Sequence, residues 1–195
     1  MTDVIDRGHP HDNAPEPTRP GGVGAAATAV SLTGVVLNGA IFGFFYAWVC
    51  STVRGLDDAD PRVAIEAMQA MNASVRNAVF FPAFFLTPVV LGLAAVLLGR
   101  SGRRRAARWF ALAAATYFVG GLLLTMVVNV PMNEELAGRV VPNDEAEAAR
   151  IWADYSGPWQ FWNTVRTVAS GAALACCANG LRHLSTDRRV VGGGR

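Results

Sequence analysis

Four side chains at the head of the last apolar stretch could do chemistry together. In "WQFWNTVRT", Trp159, Trp162, Asn163 and Arg166 stand at i, i+3, i+4 and i+7, which places them along one stripe of an α-helix. An arginine inside hydrocarbon costs roughly 2.5 kcal/mol or more, so it faces protein or a wet cavity and takes a partner. Alternatively its stem snorkels and carries the guanidinium to the headgroups. In the first case Arg166 is the cationic wall of a pocket. There it and Asn163 can hydrogen-bond a developing oxyanion at low dielectric, with Trp159 and Trp162 as apolar contacts. In the second case the tryptophans form an interfacial belt.

A second polar group closes the preceding apolar stretch, "TMVVNVPMNEEL", where Gly121, Thr125 and Asn129 continue a small and polar face. Pro131 is expected to stop this helix, because proline lacks a backbone donor and disfavours helix in the residue before it. Free carbonyls are then expected near Val127 and Val128, with side-chain amides or Arg166 to satisfy them. On this reading Asn129 and Asn133 belong with Arg166 and Asn163 as candidate catalytic residues; on the plainer one they cap and turn the chain. Tyr46 and Trp48, near the end of the first apolar stretch, either line the same pocket or join the aromatic belt.

Other chemistries lack their residues. His183 is the only histidine outside the amino-terminal segment that holds His9 and His11, so no histidine-based metal set is present and no metal site is expected. There is no glycine-rich phosphate loop, no GxSxG and no HExxH. Cys50, Cys176 and Cys177 have neither a disulfide framework nor metal spacing. A formal net charge of +2 without a basic face argues against nucleic acid as a partner. No acid lies within an apolar stretch, which argues against proton-coupled transport. Only Glu66, Glu134 or Glu135 could act as a base, and only if close; the outer acids could otherwise hold a cation or simply be solvated.

The elements that must position these residues are membrane helices. The chain has 195 residues, 52% of them apolar and 16% charged, well below the roughly 25% charge of soluble domains. Four stretches, about 25–52, 79–99, 107–130 and 158–181, are long enough for a hydrocarbon core that takes roughly 20 helical residues. The expected fold is an all-α integral membrane four-helix bundle spanning residues 23–186. Residues 1–22, rich in proline and mixed charge, read as a disordered tail, and 187–195 as a second tail.

Five arginines and no acid occupy "RSGRRRAAR", and four more follow in the carboxyl-terminal segment. The positive-inside rule makes both cytoplasmic, so the chain is expected in the cell membrane, multi-pass, with both termini inside. Residues 53–78 and 131–157 are then outside and should each hold a short helix. In the first, Asp60 and Pro61 are a helix start, with Ala64, Met68, Met71, Val75 and Ala78 as an oily face flanked by Gln69, Asn72 and Arg76. In the second, Asn143 is the expected cap. Asn38 should hydrogen-bond another helix within the bundle, and Gly39 with Gly43 fits close helix packing, including packing against a second copy.

Taken together, "AMQAMNASVRN", "VNVPMNEEL" and "WQFWNTVRT" on a four-span layout resemble the anthrone oxygenase-like family over about residues 30–182. The resemblance implies a membrane enzyme that oxidises anthrone-like aromatic polyketides to quinones without metal or flavin, hence without a cofactor. It carries over to Asn72, Asn129, Pro131, Asn133, Trp162, Asn163, Arg166 and Thr167, and adds Asn72 to Trp159, Trp162 and Tyr46 as candidate substrate contacts. The chain departs from the family at Thr164, where histidine is common, and at Val53 and Arg54, where Met-Pro is usual. The alternative is a non-catalytic membrane protein that binds a small aromatic ligand or a partner membrane protein.

Overall fold

The computed structural model describes residues 24–192, with side chains as far as residue 184. The expected amino-terminal tail lies outside the described residues. Every regular element among those described is helical: α1 (Ala25–Asp57), α2 (Pro61–Ser74), α3 (Phe80–Arg100), α4 (Arg104–Ala137) and α5 (Glu145–Gly192). Of these, α1, α3 and α4 are long and apolar enough to cross a membrane. The chain thus has the character of a membrane protein. The expected fourth crossing lies within α5, where Gln160, Asn163, Arg166 and Asn179 dilute the apolar run. The long helices close a ring in which α1 and α4 each pack on both α3 and α5.

Short links set the antiparallel order. Between α3 and α4, Gly102 adopts φ 75°, the left-handed conformation that glycine reaches without steric cost. Arg103 N donates to Leu98 O at 2.9 Å and Gly102 N to Gly99 O at 3.1 Å, so a Schellman turn satisfies the last carbonyls of α3.

At the other end α2 starts as its sequence dictates. Asp60 caps it, accepting from Arg62 N at 2.9 Å, and Pro61 fills the first turn. Hydrogen bonds from Arg62 hold the Asp60 carboxyl down at about 2. Any stability this depression lends is therefore present above the ordinary carboxylate range and lost as pH falls through about 2. Ala64, Ile65 and Met68 are fully buried, clustered with Leu136, Ala148, Trp152 and Tyr155. Gln69 Nε2 donates to Leu136 O at 2.8 Å and Arg139 O at 3.0 Å, which ties α2 to the carbonyl end of α4.

Several expected boundaries are absent. Pro131 does not stop α4; the helix runs on to Ala137. Two wider π-type segments, Phe118–Leu123 and Thr125–Asn129, precede the proline and shift the hydrogen-bond register ahead of its missing donor. Nor does a helix begin at Pro158, which lies inside α5. The second outer helix and the fourth apolar stretch are one element, capped by Asp144 rather than Asn143: Glu147 N donates to Asp144 Oδ1 at 2.8 Å. The backbone of α5 continues to Gly192, past the expected start of a tail at 187.

Close packing inside the ring uses glycines other than those expected. A Cβ at Gly34 would lie 2.8 Å from Leu91, one at Gly180 would lie 2.7 Å from Phe110, and one at Gly120 would collide with Ala169. At Gly39 and Gly43 it would meet nothing within 4 Å. Asn38 is fully buried and faces the Cys177 thiol of α5, although neither amide atom has a partner at full hydrogen-bond geometry among the described residues.

Gly120→Ala should therefore lower the thermal unfolding temperature of the detergent-solubilised protein, since overpacking costs about 1–3 kcal/mol. Gly39→Ala should leave it unchanged or raise it. A larger loss for Gly39→Ala would contradict this assignment of the packing glycines.

Candidate functional site

A cavity of about 260 Å³ lies at the acidic end of the bundle, where α1, α2, α3, α4 and α5 converge. Arg166 reaches it from α5 and is only 5% exposed. Its guanidinium lies over the Phe45 ring, 4.3 Å from the centroid, and 5.1 Å from that of Trp159, within cation–π range of both. Arg166 Nε donates to Asn163 Oδ1 at 2.9 Å and Nη1 donates to Thr125 Oγ1 at 3.3 Å. Both acceptors are held in turn: Asn163 Nδ2 donates to Phe45 O at 3.3 Å, and Thr125 donates its own proton to Gly121 O at 2.6 Å. Among the described residues no carboxylate pairs with Arg166. The cavity therefore carries a fixed positive charge with donor capacity left over.

Asn133 organises a second polar wall. Its Oδ1 accepts from Tyr155 OH and from Trp159 Nε1, both at 2.8 Å. Asn72 Nδ2 donates to Tyr155 OH at 3.4 Å. Burial pushes the Tyr155 phenol well above the usual tyrosine range, so it remains a proton donor. With its oxygen committed twice, Asn133 has its amide N–H groups to offer to a ligand. Glu134, beside it on α4, is the one carboxylate lining the cavity among the described residues, and pairs with Arg76 at 3.4 Å.

The remaining walls are aromatic. Phe44, Phe45 and Trp48 come from α1, and Phe80, Phe81, Phe84 and Phe85 from the first turns of α3. Trp48 meets Trp159 edge-on at 5.2 Å between centroids, and Phe80 stacks on Phe84 at 5.3 Å. Trp48 opens the π-type segment of α1, and Thr125 with Met126 lies in that of α4. Such irregular turns re-aim side chains and recur at functional sites.

Of the candidate catalytic and substrate-contact residues named from sequence, Arg166, Trp159, Asn133 and Asn72 line this cavity, together with Trp48, Arg76, Thr125 and Glu134. Asn163 stands behind Arg166 and holds it. Thr167 is buried and donates back to Asn163 O at 2.6 Å. Asn129 is fully buried but neither lines the cavity nor has a hydrogen-bond partner among the described residues. Trp162 is half-buried against Phe161 and outside the lining. Tyr46 is 52% exposed and stacks on Phe42; its neighbour Phe45 faces the arginine instead. Among the candidate bases Glu66 is exposed and Glu135 pairs with Arg139 at 2.9 Å; neither lines the cavity.

Thr164 is exposed, outside the lining, and bonded to its own helix at Gln160 O, 2.9 Å away. A histidine at that position would start outside the cavity. Among the described residues no group of three or more His, Cys, Asp or Glu is placed to hold a metal.

Sequence reading missed Tyr155, Phe45 and the aromatic start of α3, for which the signal was burial across helices rather than a motif. It also missed Asp57, which accepts from Trp152 Nε1 at 2.9 Å, Ser156 Oγ at 2.6 Å and Gln160 Nε2 at 2.7 Å. These bonds pin the end of α1 to the upper part of α5 and so help hold Trp159 in place. Asn133→Leu removes the acceptor shared by Tyr155 and Trp159 and should destabilise the protein by about 1–3 kcal/mol, the cost of stranding a buried donor. A change in thermal unfolding equivalent to under about 0.5 kcal/mol, the level of a surface substitution, would show that Asn133 does not hold this wall.

No curated protein and no solved structure matches the chain. The sequence pattern that defines the anthrone oxygenase family matches residues 71–176, a segment that starts at the end of α2 and includes Asn72, Asn133, Glu134, Trp159 and Arg166. That match spans more than half of the 195 residues, and the chain belongs to the anthrone oxygenase family.

Proposed function

We propose that the protein is a cofactor-independent oxygenase that converts anthrone-like aromatic polyketides to quinones in the cavity beneath Arg166. On this reading α5 crosses the membrane with α1, α3 and α4, and the arginine-rich link between α3 and α4 is cytoplasmic. The cavity then opens near the outer face of the cell membrane. The observation that carries the reading is a buried guanidinium without a carboxylate partner at the wall of an aromatic-lined cavity. Such a site favours a flat apolar molecule that becomes an anion.

An anthrone fits that description. Its methylene loses a proton to give a delocalised enolate, and the enolate can pass electrons directly to dioxygen. One oxygen atom then bonds to the former methylene carbon as a hydroperoxide. Loss of the remaining hydrogen on that carbon, with cleavage of the O–O bond, releases water and leaves the second carbonyl. Overall, anthrone and O₂ give anthraquinone and H₂O.

Each step has a candidate group. Glu134 accepts the methylene proton at the cavity edge, with Arg76 holding its carboxylate. Arg166 and the Asn133 amide hydrogen-bond the enolate oxygen, and the surrounding rings exclude water, which strengthens both interactions. Asn163 and Thr125 position Arg166. Thr164 has no role, so the lack of histidine there leaves this scheme intact.

Quinone formation from an anthrone by membranes containing the full chain tests the proposal. Arg166→Ala should lower the rate about 10²–10³-fold, as for loss of an oxyanion donor. Glu134→Gln should lower it about 10²–10⁴-fold, as for loss of a general base. Equal rates in wild type and Arg166→Ala would overturn the mechanism. Binding of the anthrone with no quinone above empty membranes would leave a ligand-binding protein.

A further inference from the structure

The cavity has two boundaries of opposite character. Towards the loops it is bridged by the Arg76–Glu134 ion pair, which joins the segment after α2 to α4. Sideways it is flanked by Phe81 and Phe85 of α3 and Met126 and Val130 of α4. Phe81, Phe85 and Met126 line the cavity yet are each about 40% exposed, at 41%, 40% and 41%. All three belong to helices long and apolar enough to cross a membrane, and on the proposed crossing their exposed faces meet hydrocarbon. Below this level α3 packs along α4, but its outer turns make little contact with the Thr125–Asn129 segment.

We infer that the ligand reaches the cavity sideways from the hydrocarbon, passing between Phe81 and Phe85 on one side and Met126 and Val130 on the other. The inference rests on the proposed function for the ligand's chemistry, a flat aromatic that ionises only once inside. It adds that the ligand must partition into the membrane as its neutral form, which is uncharged and can cross apolar side chains. Water-soluble anions, which cannot traverse the hydrocarbon side, are then excluded as substrates.

Rates separate the route from the affinity, because narrowing a passage slows association and dissociation alike and leaves Kd unchanged. The full chain in liposomes is mixed with a hydroxyanthraquinone, and quenching of tryptophan fluorescence is followed by stopped flow. Val130→Phe should slow both rates by about tenfold or more and Phe81→Ala should speed both; because the two side chains also line the cavity, the paired change in the rates, and not Kd, is the readout. Arg76→Ala, which opens the loop side, should speed neither rate as much as Phe81→Ala does. Faster exchange in Arg76→Ala, with Val130→Phe and Phe81→Ala unchanged, would overturn the sideways route and leave the oxygenase reading standing. Binding with normal gating but no turnover of an anthrone would sink the catalytic reading and leave the route. Failure of the wild type to bind the probe would overturn both.

Discussion

The structure is organised around one costly object, the guanidinium of Arg166 in the interior of an apolar bundle. Taking such a charge out of water costs several kcal/mol. Here the cost is offset by neighbours from three helices. Asn163 and Thr125 supply two acceptors, and hydrogen bonds to a charged group contribute about 1.5–3 kcal/mol each. Phe45 and Trp159 supply ring faces, worth up to about 2 kcal/mol when desolvated. None of these partners is an anion, so the charge is stabilised without being neutralised.

That requirement propagates outward. Asn163 can accept from Arg166 only if its own amide is aimed, which its bond to Phe45 O achieves by fastening α5 to α1. Thr125 is presented by a π-type segment, and the same irregularity lets α4 run through Pro131 and deliver Asn133 to Trp159 and Tyr155. The small residues Gly120 and Ala169 let α4 and α5 approach closely just below. The end that holds the cavity, by contrast, is walled by the phenylalanines of α3. Tight packing below and bulky rings above leave the cavity where they do.

The cap formed by α2 has a simpler origin. Three consecutive turns of apolar side chains must be covered, and they are covered by Leu136, Trp152 and Tyr155, residues of the extended ends of α4 and α5. Those extensions exist because neither proline breaks its helix. The cap, the second polar wall and the Asp57 cluster on Trp152, Ser156 and Gln160 therefore share one cause, the continuity of two long helices past the apolar stretch.

The sequence by itself determined the helical membrane character, the start of α2 at Asp60 and Pro61, and the need for a partnered arginine, because each follows from local composition, capping chemistry or a desolvation cost. It placed Trp159, Asn163 and Arg166 on one stripe because at about 100° per residue they fall within about 60° of arc. Trp162 is at the edge of that stripe, about 60° from Trp159, and only the packing of α1 decided that this edge lies outside the cavity. The same logic separates Tyr46 from Phe45: adjacent residues point about 100° apart, and the ring that turns inward is set by contact with α5, not by which side chain carries a polar tip. Helix continuity through Pro131 and Pro158, the choice of packing glycines and the aromatic walls from α1 and α3 were likewise tertiary decisions. They depend on which surfaces of different helices meet, and no periodicity within a single helix contains that information.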